Sequence, residues 1–187
     1  MIVLKTVREL SIMKEACRIS AGALKLIGTA IEPGVTTAEL DRLAEDYIRS
    51  QGAVPNFKGY HGYPATACIS INNEVIHGIP TAKRKIQAGD IVSVDLGALF
   101  EGYHGDNAAT FACGDISPEA QRLIDTTRES LYEAIQSFLL LWAVMTLEQA
   151  PNPFAFSVGN ADRIFEPYRE MSGLDRDTTA ALLKHFL

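Results

Sequence analysis

Three cysteines are too few, and too far apart, to staple this fold. Cys17, Cys68 and Cys113 are widely spaced and form no CxxC pair. An odd count at such separations excludes a disulfide framework and suits a reducing compartment. Basic charge is also short. Lys and Arg total 17 against 23 Asp and Glu, a formal charge of −6, which argues against a broad nucleic-acid-binding surface. Long hydrophobic runs are missing. The uncharged stretch Ala134 to Leu147 falls short of a membrane span and is expected as a buried helix. Met1 to Leu4 is a short apolar start before Lys5, Arg8 and Glu9, so no signal peptide is expected there. A soluble, cytoplasmic protein without membrane contact is the expectation. Hydrophobic residues at 47% and charged residues at 21% are globular proportions, so 187 residues can bury a true core.

Helical periodicity runs from Thr6 to Ile31, with Leu10, Met13, Cys17, Ile19, Ala23, Leu24 and Ile27 largely on one side, and Pro33-Gly34 stops it. Thr36 and Glu39 have capping-box spacing, which predicts a second helix to about Ser50, ended by Gly52. The texture then becomes β. Ala67 to Asn72 is a short strand, Asn72-Asn73 a turn, and Val75-Ile76-His77 a returning strand. Ile91 to Leu99 and Tyr103 to Cys113 form two longer strands around a turn near Glu101-Gly102. Ser117-Pro118-Glu119 starts a helix that runs through Leu131 and Ile135. Residues 1–136 therefore form one coherent α/β (α+β) unit. Residues 137–187 differ: an apolar run to Met145, breakers at Pro151, Pro153 and Gly159, and a short helix over Asp175 to Phe186.

Chemistry concentrates in the β region. Asp95 stands among β-formers in Ile91-Val92-Ser93-Val94-Asp95-Leu96-Gly97-Ala98, although Asp is depleted in strands. Asp106 has a similar place in Tyr103-His104-Gly105-Asp106-Asn107-Ala108. A hairpin turning near residues 100–102 pairs Asp95 with Asp106 or a residue one or two away. The two Cβ atoms then lie roughly 4.5–8 Å apart on one face. Carboxylates that close share a proton, bind a cation or face water. Alternatively, one Asp caps the turn and the other is solvated. His77 before Gly78-Ile79-Pro80, His61 and His104 are candidate polar groups, each also explicable as a hydrogen-bonded structural histidine. Cys68 and Tyr60 fit either an apolar pocket or the core. His185 is expected to be solvated.

Six stretches together resemble the type 1 methionine aminopeptidases. They are Gly59-Tyr60-His61-Gly62-Tyr63-Pro64, Cys68-Ile69-Ser70-Ile71-Asn72, His77-Gly78-Ile79-Pro80, Gly89-Asp90-Ile91-Val92, Val94-Asp95-Leu96-Gly97 and His104-Gly105-Asp106. The resemblance spans roughly Thr6 to Gln136. It implies half of a pita-bread fold, an antiparallel sheet with helices on one face, followed by an unassigned C-terminal tail. It also implies an enzyme that removes N-terminal methionine from nascent chains, with methionyl peptides as substrate and the ribosome as a partner. The family uses two divalent metal ions (Co, Mn, Fe or Zn) that activate a water. By resemblance Asp95 chelates one metal and Asp106 touches both. His77 binds substrate and supports proton transfer. Tyr60, Tyr63, Cys68 and Phe57 line the methionine pocket, and Asn72 and Val75 hold a monovalent cation. Hard carboxylate oxygens suit first-row divalent ions, and a soft sulfur in an apolar pocket suits a thioether.

The family's other ligands, one histidine and two glutamates, belong to a second half whose motifs are absent from residues 137–187. Glu148, Glu166, Glu170 and His185 lie in no matching context. Two aspartates alone are too few for a dinuclear site. The sequence therefore predicts an aminopeptidase-like chain not competent alone. The alternatives are a non-catalytic binding module on the same half-fold or a frame-altered product without function.

Overall fold

The computed structural model describes residues 5–149. Two helices come first. Helix α1, Val7–Ala30, starts at a capping box in which the Thr6 hydroxyl accepts from the Glu9 amide and the Glu9 carboxylate accepts from the Thr6 amide. Helix α2, Thr37–Ser50, repeats the device with Thr36 and Glu39. The α2 start is where the Thr36–Glu39 spacing predicts it; the Thr6–Glu9 box of α1 was not foreseen.

Four strands follow: β1 Val54–Pro55, β2 Ala67–Ile71, β3 Ile91–Phe100 and β4 Tyr103–Ala112. All pairings are antiparallel. Strand β3 is central, with β1 and β2 along one edge and β4 along the other. Glu101 and Gly102 both take positive φ, 46° and 84°, which is the backbone of a tight two-residue hairpin turn. That turn fixes the β3–β4 register from Phe100↔Tyr103 to Ile91↔Ala112.

The sheet has two unlike faces. Val92, Val94, Leu96 and Ala98 of β3 are buried with Ala67, Ile69 and Ile71 of β2. They join Ile19, Ala23 and Ile27 of α1 and Leu40, Ala44 and Ile48 of α2 in one core. The intervening residues, Cys68, Ser70, Ser93, Asp95 and Gly97, belong to the opposite face, as the two-residue period of a strand requires. Helices α1 and α2 thus lie on one face of the sheet.

One expected strand does not form. Val75-Ile76-His77 lies in a loop, not a strand. Asn72 and His77 both have left-handed backbone, φ 57° and 60°. No ladder can run through such residues, so the turn at Asn72 overrides the β-branched side chains that follow. The short strand β1 and the single 3-10 turn Tyr60–Gly62 were not foreseen.

The chain divides into two units after Gln121. In helix α3, Pro118–Gln149, the Ser117 hydroxyl accepts from the Ala120 amide, the cap that Ser117-Pro118 predicts. The helix continues through the apolar stretch that starts at Ala134. Among the described residues no helix is long and apolar enough to cross a membrane. The expected helix over Asp175 to Phe186, and His185 with it, lie outside the described residues.

Candidate metal centre

The face turned away from the helices carries the chemistry. Asp95 pairs with Ala108 across β3–β4, and Asp106 pairs with Gly97. The carboxylates are diagonal neighbours on one face, two register positions apart, as the hairpin predicts. Cys68 stands opposite Asp95 across β2–β3, on the same face.

Asp95 Oδ1 is buried and has no hydrogen-bond partner among the described residues. Burial pushes the Asp95 pKa up, and the Asp106 carboxylate beside it pushes it further. The charge of His77 works in the opposite sense. Cys68 is buried, and that burial raises its thiol pKa; the Tyr63 hydroxyl opposes the rise and Asp95 adds to it. Tyr63 is half-buried and is raised by burial first and by its contact with Cys68 second. Asp95, Asp106, Cys68, Tyr63 and His77 therefore share one electrostatic environment.

The remaining candidates stand differently. Phe57 is half-buried. Tyr60 is exposed at 69%, its ring edge-on to His61, so it is not a core residue. The Asn72 amide donates to Asp90 Oδ1 at 2.7 Å and accepts from the Ile91 amide at 3.0 Å, which ties the turn to the start of β3. Val75 is 88% exposed.

Asn56 was missed by the sequence reading. Its amide nitrogen lies 2.9 Å from His104 Nδ1, and its Oδ1 is buried without a hydrogen-bond partner among the described residues. The amide occupies the space above Gly97, where a Cβ would sit 2.2 Å from Oδ1. It bridges the sheet from the end of β1 to β4, beside Asp106. No local pattern signals a contact between residues 48 apart in sequence.

A buried carboxylate oxygen without a donor, next to a second carboxylate, fits a divalent cation as part of a ligand set. It is only part of one. Among the described residues no group of three or more His, Cys, Asp or Glu side chains is arranged to hold a metal ion.

A profile of metallopeptidase family M24 matches residues 11–139. The chain belongs to metallopeptidase family M24. Its curated relatives include the methionine aminopeptidase of Clostridium acetobutylicum, 50% identical over 140 residues, covering 75% of this chain and 56% of that protein. Methionine aminopeptidase 1 of Bacillus subtilis is 48% identical over 136 residues, covering 73% and 54%. Among solved structures, the methionine aminopeptidase of Thermotoga maritima superposes with a TM-score of 0.71 at 39% identity, covering 73% of this chain and 55% of that one. The chain spans about half the length of the curated relatives it matches. The antiparallel sheet with α1 and α2 on one face is accordingly half of a pita-bread M24 fold.

Proposed function

We propose that residues 1–136 supply the first half of a metal-dependent aminopeptidase site for N-terminal methionyl peptides. The observation that carries this reading is the buried, donor-less Asp95 Oδ1 beside Asp106, on the sheet face away from the helices. Asp95 and Asp106 would hold divalent metal, Co, Mn, Fe or Zn. Such an ion supplies Lewis-acid polarisation of a scissile carbonyl. His77 would orient the peptide N-terminus and carry a proton near Asp95. Tyr63 and Cys68, with Phe57 and Tyr60, would receive the methionine side chain. Asn72 and Val75 would contribute to a monovalent-cation loop. The substrates are new chains, met in the cytoplasm at the ribosome.

The same reading holds that these 187 residues alone do not turn over substrate. Residues 137–187 carry no counterpart of the family's remaining ligands and act as a divergent tail. Titration with Mn2+ or Co2+ tests the site, together with release of methionine from a methionyl peptide. The expected result is divalent binding lost in Asp95→Asn, with no methionine released. Absence of any divalent binding would remove the metal site. Turnover that Asp106→Ala abolishes would show instead that the chain is competent alone.

A further inference from the structure

We propose that the hydroxyl of Tyr63 is a positioning group that holds the His77 segment against strand β2. The inference rests on the reading of His77 as a site residue, and it gives Tyr63 a task its ring alone does not perform.

Tyr63 Oη lies 3.0 Å from the carbonyl of Ala67 and 3.2 Å from the carbonyl of Gly78. Ala67 directly precedes Cys68, and Gly78 directly follows His77. One phenol proton, shared between the two carbonyls, thus joins the strand that carries the thiol to the loop that carries the imidazole. Two further bonds draw the same segments together. The Ile69 amide donates to Gly78 O at 2.9 Å, and the Gly78 amide donates to Ser70 Oγ at 3.1 Å. The approach is so close that a Cβ on residue 78 would sit 2.2 Å from Ile69 O. His77 itself has φ 60°, a conformation that a residue with a Cβ keeps only when its surroundings hold it.

The brace is anchored at its far end. Asp41 of α2 accepts the amides of Thr66 at 2.9 Å and Ala67 at 2.8 Å through one oxygen, Oδ1. Helix α2 therefore fixes the start of β2, β2 offers Ala67 O to Tyr63, and Tyr63 fixes Gly78. The position of His77 relative to Asp95 follows from that sequence of bonds.

Tyr63→Phe separates this role from pocket lining, because it keeps the ring and deletes the hydroxyl. Tyr60→Phe is the control, since the Tyr60 side chain is exposed. Amide exchange of the full chain is measured by NMR. At Ile69 and Gly78 it is expected to accelerate by roughly tenfold or more in Tyr63→Phe, with core amides such as Val94 unchanged. Tyr60→Phe is expected to change neither. Mn2+ provides the second readout. Bound at the aspartates, it broadens the His77 imidazole signals, and that broadening is expected to weaken in Tyr63→Phe while Mn2+ affinity is retained. Unaltered exchange at Ile69 and Gly78 overturns the proposal. If wild type binds no Mn2+, the metal reading fails, but the exchange comparison still decides the role of Tyr63. Should Tyr63→Phe not fold, the wild-type hydroxyl proton decides: slower exchange with water at Tyr63 than at Tyr60 supports the brace, and equal exchange overturns it.

Discussion

Cys68 and Asp95 face each other directly across the β2–β3 ladder, so the thiol and the carboxylate rise from the same side of the sheet. Asp106 joins them from β4 two positions along the register. Three strands thus deliver one polar cluster, and its two carboxylates repel. Without a cation, the cluster works against folding.

Asp95→Asn is therefore expected to stabilise the metal-free chain while abolishing divalent binding. Asp95 has a raised pKa in the folded state. A raised carboxylate favours folding at low pH and costs stability as pH climbs from the unfolded value of 3.8 through the folded value. Wild type should lose stability over that interval relative to Asp95→Asn. Near neutral pH the variant should melt roughly 2–4 °C higher. Thermal melts from pH 3 to 7, with and without Mn2+, check both the sign and its reversal by metal.

Glu9 shows the opposite linkage. Hydrogen bonds from the Thr6 backbone, the Tyr103 hydroxyl and the Thr6 hydroxyl lower its pKa from 4.5 to about 2. Its charged form therefore stabilises the fold fully above pH 4.5, and that contribution fades as pH falls toward about 2. Glu9→Gln should melt below wild type at pH 6. The gap should narrow steadily in melts taken down to pH 2.5.

Glu101 holds a left-handed backbone, φ 46°, at the first position of the hairpin turn. Asn adopts that region more readily than Glu. Glu101→Asn is expected to stabilise the chain by about 0.5–1 kcal/mol without changing metal binding. Urea denaturation measures it.

Gly97→Ala should force the Asn56 amide off the sheet and break its contact with His104, at a cost of about 1–3 kcal/mol. Asn56→Ala empties the space that the new methyl needs. The two substitutions together should then cost clearly less than the sum of the two alone, which a double-mutant cycle reads.

Much of this arrangement could be read from the chain because local chemistry decides it. The Thr36–Glu39 capping box was legible and sets its helix, since Thr and Glu three residues apart satisfy each other's backbone; the same device at Thr6 and Glu9 was legible in principle but went unread. Asp95 was visible because a carboxylate amid Val and Leu contradicts its surroundings. The loop at His77 was not visible. Val75 and Ile76 favour a strand, yet the left-handed Asn72 and the close seat of Gly78 on Ile69 decide the path, and neither is a local preference. Asn56 and Asp41 were likewise hidden, because each acts on partners brought near only by the folded sheet.

The two-residue hairpin tip at Glu101-Gly102 carries a consequence for engineering. Odd-numbered side chains of β3 point to the side that carries Asp95, and even-numbered ones fill the core. One residue inserted into β3 between Gly97 and Phe100, with the tip kept tight, would shift Asp95 by one pairing step against β4 and send it toward the helices. Loop grafts and tags placed here must preserve that phase, or the centre disappears although every one of its residues is still encoded.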